Sequence, residues 1–597
     1  MKTPMQKLGI ALALSLSPSL VTQAQFNLGF ELYNDIKVVQ NNDTLAHPWV
    51  GGLNNPQFSS IDIDLDGHHD IVAYERDGEV YRVFIWEEGV SYRSDFTSHK
   101  ALPKVRGSFA LFRDYNEDGK QDLFSVGYNN QGINVHLNTS ESEVSFTQMT
   151  ENLRFRHPGS GYLYSYFPAN DLPGIADFNG DGDLDIIVQG QTGVLDYPAL
   201  LYFENQSQEL YGHSDSLAYE LVNPCWGKIR EFVNDAGWTE YICDTNRSGN
   251  RGSRHGGTTL TPIDLNGDGA MDLLTGDAYS GNMQSLINTS TSVDAVVDLS
   301  LSDSTYPSYD DPIFVPTLPA AFFEDIDHDG EKDLIAAPNQ LTAIATFYLD
   351  TSINTNVDWY YKNVGTTAHP DFKLQEKGFF SGKMIDVGSK SMPALADING
   401  DGLLDLLVGN EGFTAYGGSA AASLTLYLNV GDIENPVFEL VDKDFLDISE
   451  FGFGFVHPAL ADLDGDGDYD LLIGEDQGML HYFKNRGTPE IHDFHLTEPE
   501  FANIDVDLSA HPQFFDVNLD GAPDLLVGDY YGRIQYFENA GTPSEPDFSK
   551  NPTVEKVGDL LTFHAHGGES TPMLTRKLDS LGSNLYLLQS NADGVIL

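Results

Sequence analysis

Basic residues are scarce in this 597-residue chain: 32 Lys and Arg stand against 90 Asp and Glu, for a formal charge of −58 at pH 7. Nucleic-acid binding needs Lys and Arg contacts to phosphate, so a surface of this sign argues against it. Cysteine is almost missing, with Cys225 and Cys243 alone, which leaves room for at most one disulfide. Beyond the N-terminus no stretch reaches about 18 uninterrupted apolar residues, so no further membrane span is expected. Helical periodicity is absent as well. There is no G-x-S-x-G elbow, no H-E-x-x-H helix and no cysteine in a nucleophile motif, and the sequence favours a binding module over an enzyme.

Apolar residues are not lacking. They make up 41% of the chain and aromatics 11%, enough for a large core and against disorder. The 57 glycines, with many Asp and Asn, imply many turns. At the N-terminus Lys2 and Lys7 precede an apolar run from Leu8 to about Leu20, and "TQA" ends at Ala24 with small residues, Thr22 and Ala24, at both key positions of a cleavage site. This reads as a signal peptide over residues 1–24, and the remaining chain is expected to be secreted or held at the cell surface. Export permits a Cys225–Cys243 disulfide, worth roughly 3 kcal/mol for a loop of that size, with two reduced thiols as the other reading.

One pattern, D-x-[DN]-x-D-G-x-x-D, occurs eight times, with start-to-start spacings of 52, 63, 87, 61, 72, 65 and 54 residues. Around it the sequence also repeats. Short apolar runs such as "HPALA" precede the loop and "DLLIG" follows it; then come "LHYFKN" and a Gly-containing turn such as "NRGTPEIHDF". Each unit reads as four short strands joined by tight turns. Units of that kind in series are the blades of a β-propeller, so the expected fold is all-β, with four-stranded antiparallel blades over 25–597. About eight blades in one ring are expected, seven to nine being compatible with the repeats. An insertion covers about 206–260. A degenerate ninth copy at about 570–597 lacks the carboxylates, and an N-terminal strand within 26–40 is a candidate to complete that blade.

Hard divalent cations take several oxygen ligands, and Ca²⁺ takes six to eight at about 2.3–2.6 Å. Loop positions 1, 3, 5 and 9 supply such oxygens, and Gly at position 6 permits the sharp turn. The candidate ligands are Asp62, Asp64, Asp66 and Asp70; Asp114, Asn116, Asp118 and Asp122; Asp177, Asn179, Asp181 and Asp185; Asp264, Asn266, Asp268 and Asp272. In the second half they are Asp325, Asp327, Asp329 and Asp333; Asp397, Asn399, Asp401 and Asp405; Asp462, Asp464, Asp466 and Asp470; Asp516, Asn518, Asp520 and Asp524. Asp468, between two ligands, is expected to face solvent. Flanking strands and the missing Glu at position 12 exclude an EF-hand. Up to eight structural Ca²⁺ ions would cancel only part of the charge, and their binding energy would act as folding energy.

These loops and strands resemble the FG-GAP/VCBS repeats of integrin α-chain propellers and of many secreted bacterial proteins. The resemblance covers nearly all of residues 50–597. It implies a calcium-bearing propeller with adhesion or ligand binding, for glycans or proteins, as its role. A polysaccharide lyase or hydrolase on the same scaffold is the alternative, and an architectural domain of a larger surface protein a third. Outside the loops, Arg247, Arg251, Arg254 and His255 form the main basic cluster. They are a candidate grip for an anionic sugar or carboxylate, with neutralisation of nearby acids the plainer explanation. The His-Pro pairs at 457 and 511 and the aromatics of "LHYFKN" and "IQYFEN" are read as repeat packing.

Overall fold

Every loop connects the first two strands of an antiparallel sheet. In the computed structural model the chain is described over residues 35–590, apart from 90, 128–131, 158–160, 164–169, 191–198, 232–237, 241–256, 279, 293–294, 317, 340–353, 416–417, 420, 558–570 and 580–581. The leader 1–24, Cys243 and the cluster Arg247, Arg251, Arg254 and His255 lie outside the described residues.

The seventh sheet shows how sequence sets structure. Its strands His457–Ala461, Asp470–Gly474, Leu480–Asn485 and Phe494–Glu498 pair in chain order. All five residues of "DLLIG" are buried, whereas the last strand is largely accessible. A strand covered on both faces needs an unbroken apolar run, and an edge strand does not. The first, second and fifth sheets are likewise four-stranded, and the fourth and eighth have three strands extended by single bridges to Phe314 and Val554. The third and sixth carry two additional strands each at the outer edge. The fold is therefore all-β with mostly antiparallel four-stranded sheets.

Successive sheets share apolar cores. Leu407 and Leu424 of the sixth pack with Leu471 and Phe483 of the seventh, and Leu472 and Leu480 of the seventh with Leu525 and Val527 of the eighth. The fifth sheet also meets the first: Phe58 packs edge-on against Phe322 at 5.8 Å, and Gln57 Nε2 donates to Asn339 Oδ1 at 2.9 Å. Ser60 Oγ donates to Glu324 at 2.7 Å, and the Tyr92 hydroxyl to the Ile326 carbonyl at 2.9 Å.

Two departures from the sequence reading stand out. Strand Lys37–Gln40 does not complete the ninth copy; it pairs in parallel with Val437–Asp442 at the outer edge of the sixth sheet. Its apolar Val38 is fully buried there, and Gln40 Nε2 donates to the Tyr427 hydroxyl at 2.8 Å. In the ninth copy, Thr571–Asp579 and Gly582–Ser590 pair without interruption from Thr571↔Ser590 to Asp579↔Gly582. A long hairpin thus replaces the acidic loop.

The His-Pro pairs at 457 and 511 start the first strands of the seventh and eighth sheets. There the two Nδ1 atoms lie 2.9 Å apart, so one ring donates and the other accepts, and His511 stacks on Phe455. Burial lowers His457 to about 4 and pushes His511 well below its ordinary value. A lowered histidine pKa means the unfolded chain takes up the proton first. The stability these rings contribute is complete above pH 6.5 and is lost as pH falls towards 4, by about 3 kcal/mol for His457. Denaturant unfolding between pH 7 and 4 is expected to show this acid-side loss, reduced in His457→Asn; an unchanged pH profile in the variant would refute it.

Candidate metal centres

The eight loops share one backbone path. Gly at position 6 has positive φ in all of them, from +83° at Gly269 to +97° at Gly467. In every loop the position-5 carboxylate accepts the backbone N–H of position 7, as Asp66 does from His68 at 2.8 Å. Asp62 accepts from Asp66 and Gly67 N–H, at 3.1 and 3.0 Å, and Asp64 from Asp66 N–H at 3.2 Å. A carboxylate has about four lone-pair sites, so these bonds orient the oxygens and leave capacity for a cation.

Position 9 behaves differently from the other three. One oxygen of Asp470 accepts the Leu463 N–H inside its loop at 3.2 Å, and the other accepts the Asn485 N–H at the end of the third strand at 2.8 Å. The same pair of bonds forms at Asp70, Asp122, Asp185, Asp272, Asp333, Asp405 and Asp524. Tyrosine hydroxyls add a third bond at three of them, from Tyr202 to Asp185 at 2.7 Å, Tyr360 to Asp333 at 3.2 Å and Tyr482 to Asp470 at 2.9 Å. Of these tyrosines Tyr482 lies in a run read as packing, and the structure does bury it with Phe483. Burial raises Asp70 to about 6, Asp122 to about 7 and Asp185 to about 8, against the backbone donors that favour the charged form.

The strand-ending asparagine completes the unit. Asn363 Nδ2 donates to the Lys332 carbonyl at 3.1 Å, while its Oδ1 accepts from Gly365 and Asp371 N–H, both at 3.0 Å. Asn485 Oδ1 accepts from Gly487 and Asp493 in the same way. The glycine two residues on is required by crowding: a Cβ at Gly487 would sit 1.9 Å from the Ile491 carbonyl oxygen.

Oxygen atoms converge where an ion would need them. Two ligands at about 2.4 Å from one ion lie within roughly 5 Å of each other. One oxygen each of Asp62, Asp64 and Asp66, of Asp325, Asp327 and Asp333, and of Asp462, Asp464 and Asp466 fall within 4.8 Å. Buried Oδ1 atoms of Asp325, Asp327 and Asp464 have no hydrogen-bond partner. An all-oxygen donor set with partnerless carboxylate atoms fits a hard cation such as Ca²⁺ and does not suit a metal preferring nitrogen or sulfur. In the third loop Asp181 gathers instead with Glu204 and Glu209, the latter on the short helix Ser207–Tyr211. Neither glutamate was marked by the nine-residue pattern, although Glu204 immediately precedes the strand-ending Asn205.

Asp468 is not solvent-facing as expected. It is 4% exposed, its Oδ1 lacks a partner, and burial with Asp466 beside it raises it to about 7. The equivalent Asp183 is buried too and accepts the Gln208 N–H at 2.7 Å. Cys225 is buried, and among the described residues no cysteine is free.

The two kinds of aspartate should separate on mutation. Asp470→Ala strands two buried N–H groups and is expected to cost about 2–4 kcal/mol with or without calcium. Asp466→Asn keeps its acceptor to Asp468 and should lower stability only when calcium is present. Chemical denaturation with and without chelator measures both; equal losses would remove the distinction.

Comparison with known proteins finds a repeat family in two segments. The FG-GAP-like repeat description matches residues 114–188 and 397–473, each starting at an acidic loop. Among solved structures, a lectin of Agrocybe aegerita studied for specific recognition of non-reducing terminal N-acetylglucosamine matches at 18% identity. It covers 72% of this chain and 89% of the lectin, with a TM-score of 0.25. No curated protein matches. Two segments of the chain thus match FG-GAP-like repeats, and both lie in an all-β fold of mostly antiparallel four-stranded sheets.

Proposed function

We propose that this chain is an exported, calcium-stabilised β-propeller protein whose non-repeating surface binds a glycan or protein ligand. The observation that carries the calcium reading is the convergence of carboxylate oxygens within 4.8 Å in the first, fifth and seventh loops, the latter two with buried Oδ1 atoms that have no hydrogen-bond partner. Asp and Asn at positions 1, 3 and 5 would hold the ion, with position 9 bracing the loop and, at Asp333, bringing an oxygen within reach of the same ion. An ion there supplies cross-linking of the loop and neutralises clustered charge.

The ligand-binding part rests on the FG-GAP-like repeats and on how the acids are used. Carboxylates of the repeated loops are taken up by backbone donors and by the proposed ions, which leaves insertions and sheet-to-sheet surfaces for a ligand. Export follows from the leader at 1–24, and a disulfide between Cys225 and Cys243 suits an exported chain. We also propose that the sheets do not make one ring of eight. The fifth packs back on the first, and the sixth to ninth copies continue as a second row through shared cores and the contact of His511–Phe515 with Thr571–Asp579.

Chelation of the purified protein is expected to lower Tm by about 10 °C or more, reversed by added Ca²⁺, since each site held at 100 times its Kd contributes about 2.7 kcal/mol. An unchanged Tm with no bound metal would sink the calcium reading. Retention on a panel of polysaccharides and surface proteins tests the binding role. New reducing or unsaturated ends on any of the glycans would replace it with an enzyme.

A further inference from the structure

The residue before the one whose N–H meets the position-9 aspartate at the end of the third strand differs in chemistry from repeat to repeat, and in three of them it reaches back to the acidic loop. Aligned by the N–H bond to the position-9 aspartate, these residues are Ile85, Leu137, Glu204, Ile287, Lys362, Leu428, Lys484 and Glu538. Both lysines stand opposite loops with Asp at position 3, and no loop with Asn there faces a lysine. Lys362 Nζ pairs with Asp327 and, at 2.8 Å, with Asp329; Lys484 Nζ pairs with Asp464. Opposite Asn179 the residue is Glu204, whose Oε1 accepts from Asn179 Nδ2 at 2.9 Å.

From this complementarity we infer that Lys362 and Lys484 are built-in counter-cations that compete with calcium, so that the fifth and seventh loops form a weaker class of sites than the other loops. The inference rests on the calcium reading above and names how its sites are tuned. Each lysine engages a carboxylate that an ion would need: Asp327 and Asp329 are candidate ligands, and so is Asp464. Partnerless Oδ1 atoms on Asp327 and Asp464 show that the lysine leaves part of the oxygen set open. The loop thus still takes an ion, but only by sharing or displacing the ammonium. A doubly charged ion and an ammonium about 5 Å apart repel, even with water-like screening, enough to change affinity about tenfold. Both lysines are about one-third exposed, so each can swing into solvent as the ion arrives. Glu204 acts in the opposite sense, bringing a further carboxylate to the third loop beside Asp181 and Glu209.

Native mass spectrometry of the full chain across buffered free Ca²⁺, with Tm recorded in parallel, tests this. In the wild type two ions are expected to leave first as calcium falls. The variant carrying Lys362→Met and Lys484→Met should hold those two ions to about tenfold lower free calcium, with a higher Tm in that window. Lys362→Arg with Lys484→Arg keeps the charge and should follow the wild type, which separates charge from packing. Lys373→Met, a lysine paired with Asp371 outside the loops, should change nothing. Methionine variants that lose their ions at the same or higher calcium than wild type overturn the inference while leaving calcium binding intact. A wild type that retains no ion at any concentration overturns the calcium reading and this inference with it.

Discussion

The aspartate at position 9 of each loop, held between two backbone N–H groups, is the contact on which the repeat depends. One N–H belongs to its own loop and the other to the end of the third strand, so a single carboxylate fixes the loop against the sheet. It is a buried charge, and burial alone would push it towards the neutral form. Two backbone donors, and a tyrosine hydroxyl in three sheets, compensate through charge-assisted hydrogen bonds. The eight apolar second strands begin at this residue, so the polar tie and the buried core share an origin.

Neighbouring repeats are coupled through the same loops. Position 4 lies in the left-handed region throughout, and four loops place glycine there. In three of these the next sheet's turn packs so closely that a Cβ would collide: Gly267 against His369, Gly400 against Pro489 and Gly465 against Ser544. Where the fifth loop meets the first sheet, His328 takes that position and stacks on Trp86 at 4.2 Å. The acidic loops are thus also sheet-to-sheet joints, and rigidity in one is passed to the next through packed backbone.

Much of this was legible in the sequence. Nine-residue spacing marked every loop, and the "DLLIG" and "YFKN" runs marked the strands, because buried strands need unbroken apolar residues and tight loops need Gly, Asp and Asn. What escaped was the division of labour among identical aspartates. Asp466 and Asp470 look alike in the pattern, yet one sits at the loop rim and the other under the sheet. Asp468 was misplaced because a position outside the ligand pattern was read as solvent-facing, whereas the tight loop folds its side chain inward. Lys362, Lys484 and Glu204 were hidden by distance: they approach the loop across the sheet from 20 or more residues away, and only strand register brings them there.

The strand Lys37–Gln40 has a kinetic consequence. Its register sets Val38 against Phe438, a pairing between residues 400 positions apart. Contacts so distant in sequence form slowly, since a very long loop must close before they contribute anything. During synthesis this strand can pair at once with Asp43–Thr44, but its parallel partner is made only after two-thirds of the protein has followed it. Lys37–Gln40 is therefore among the last strands to find its place in a sheet, although it is among the first to be made.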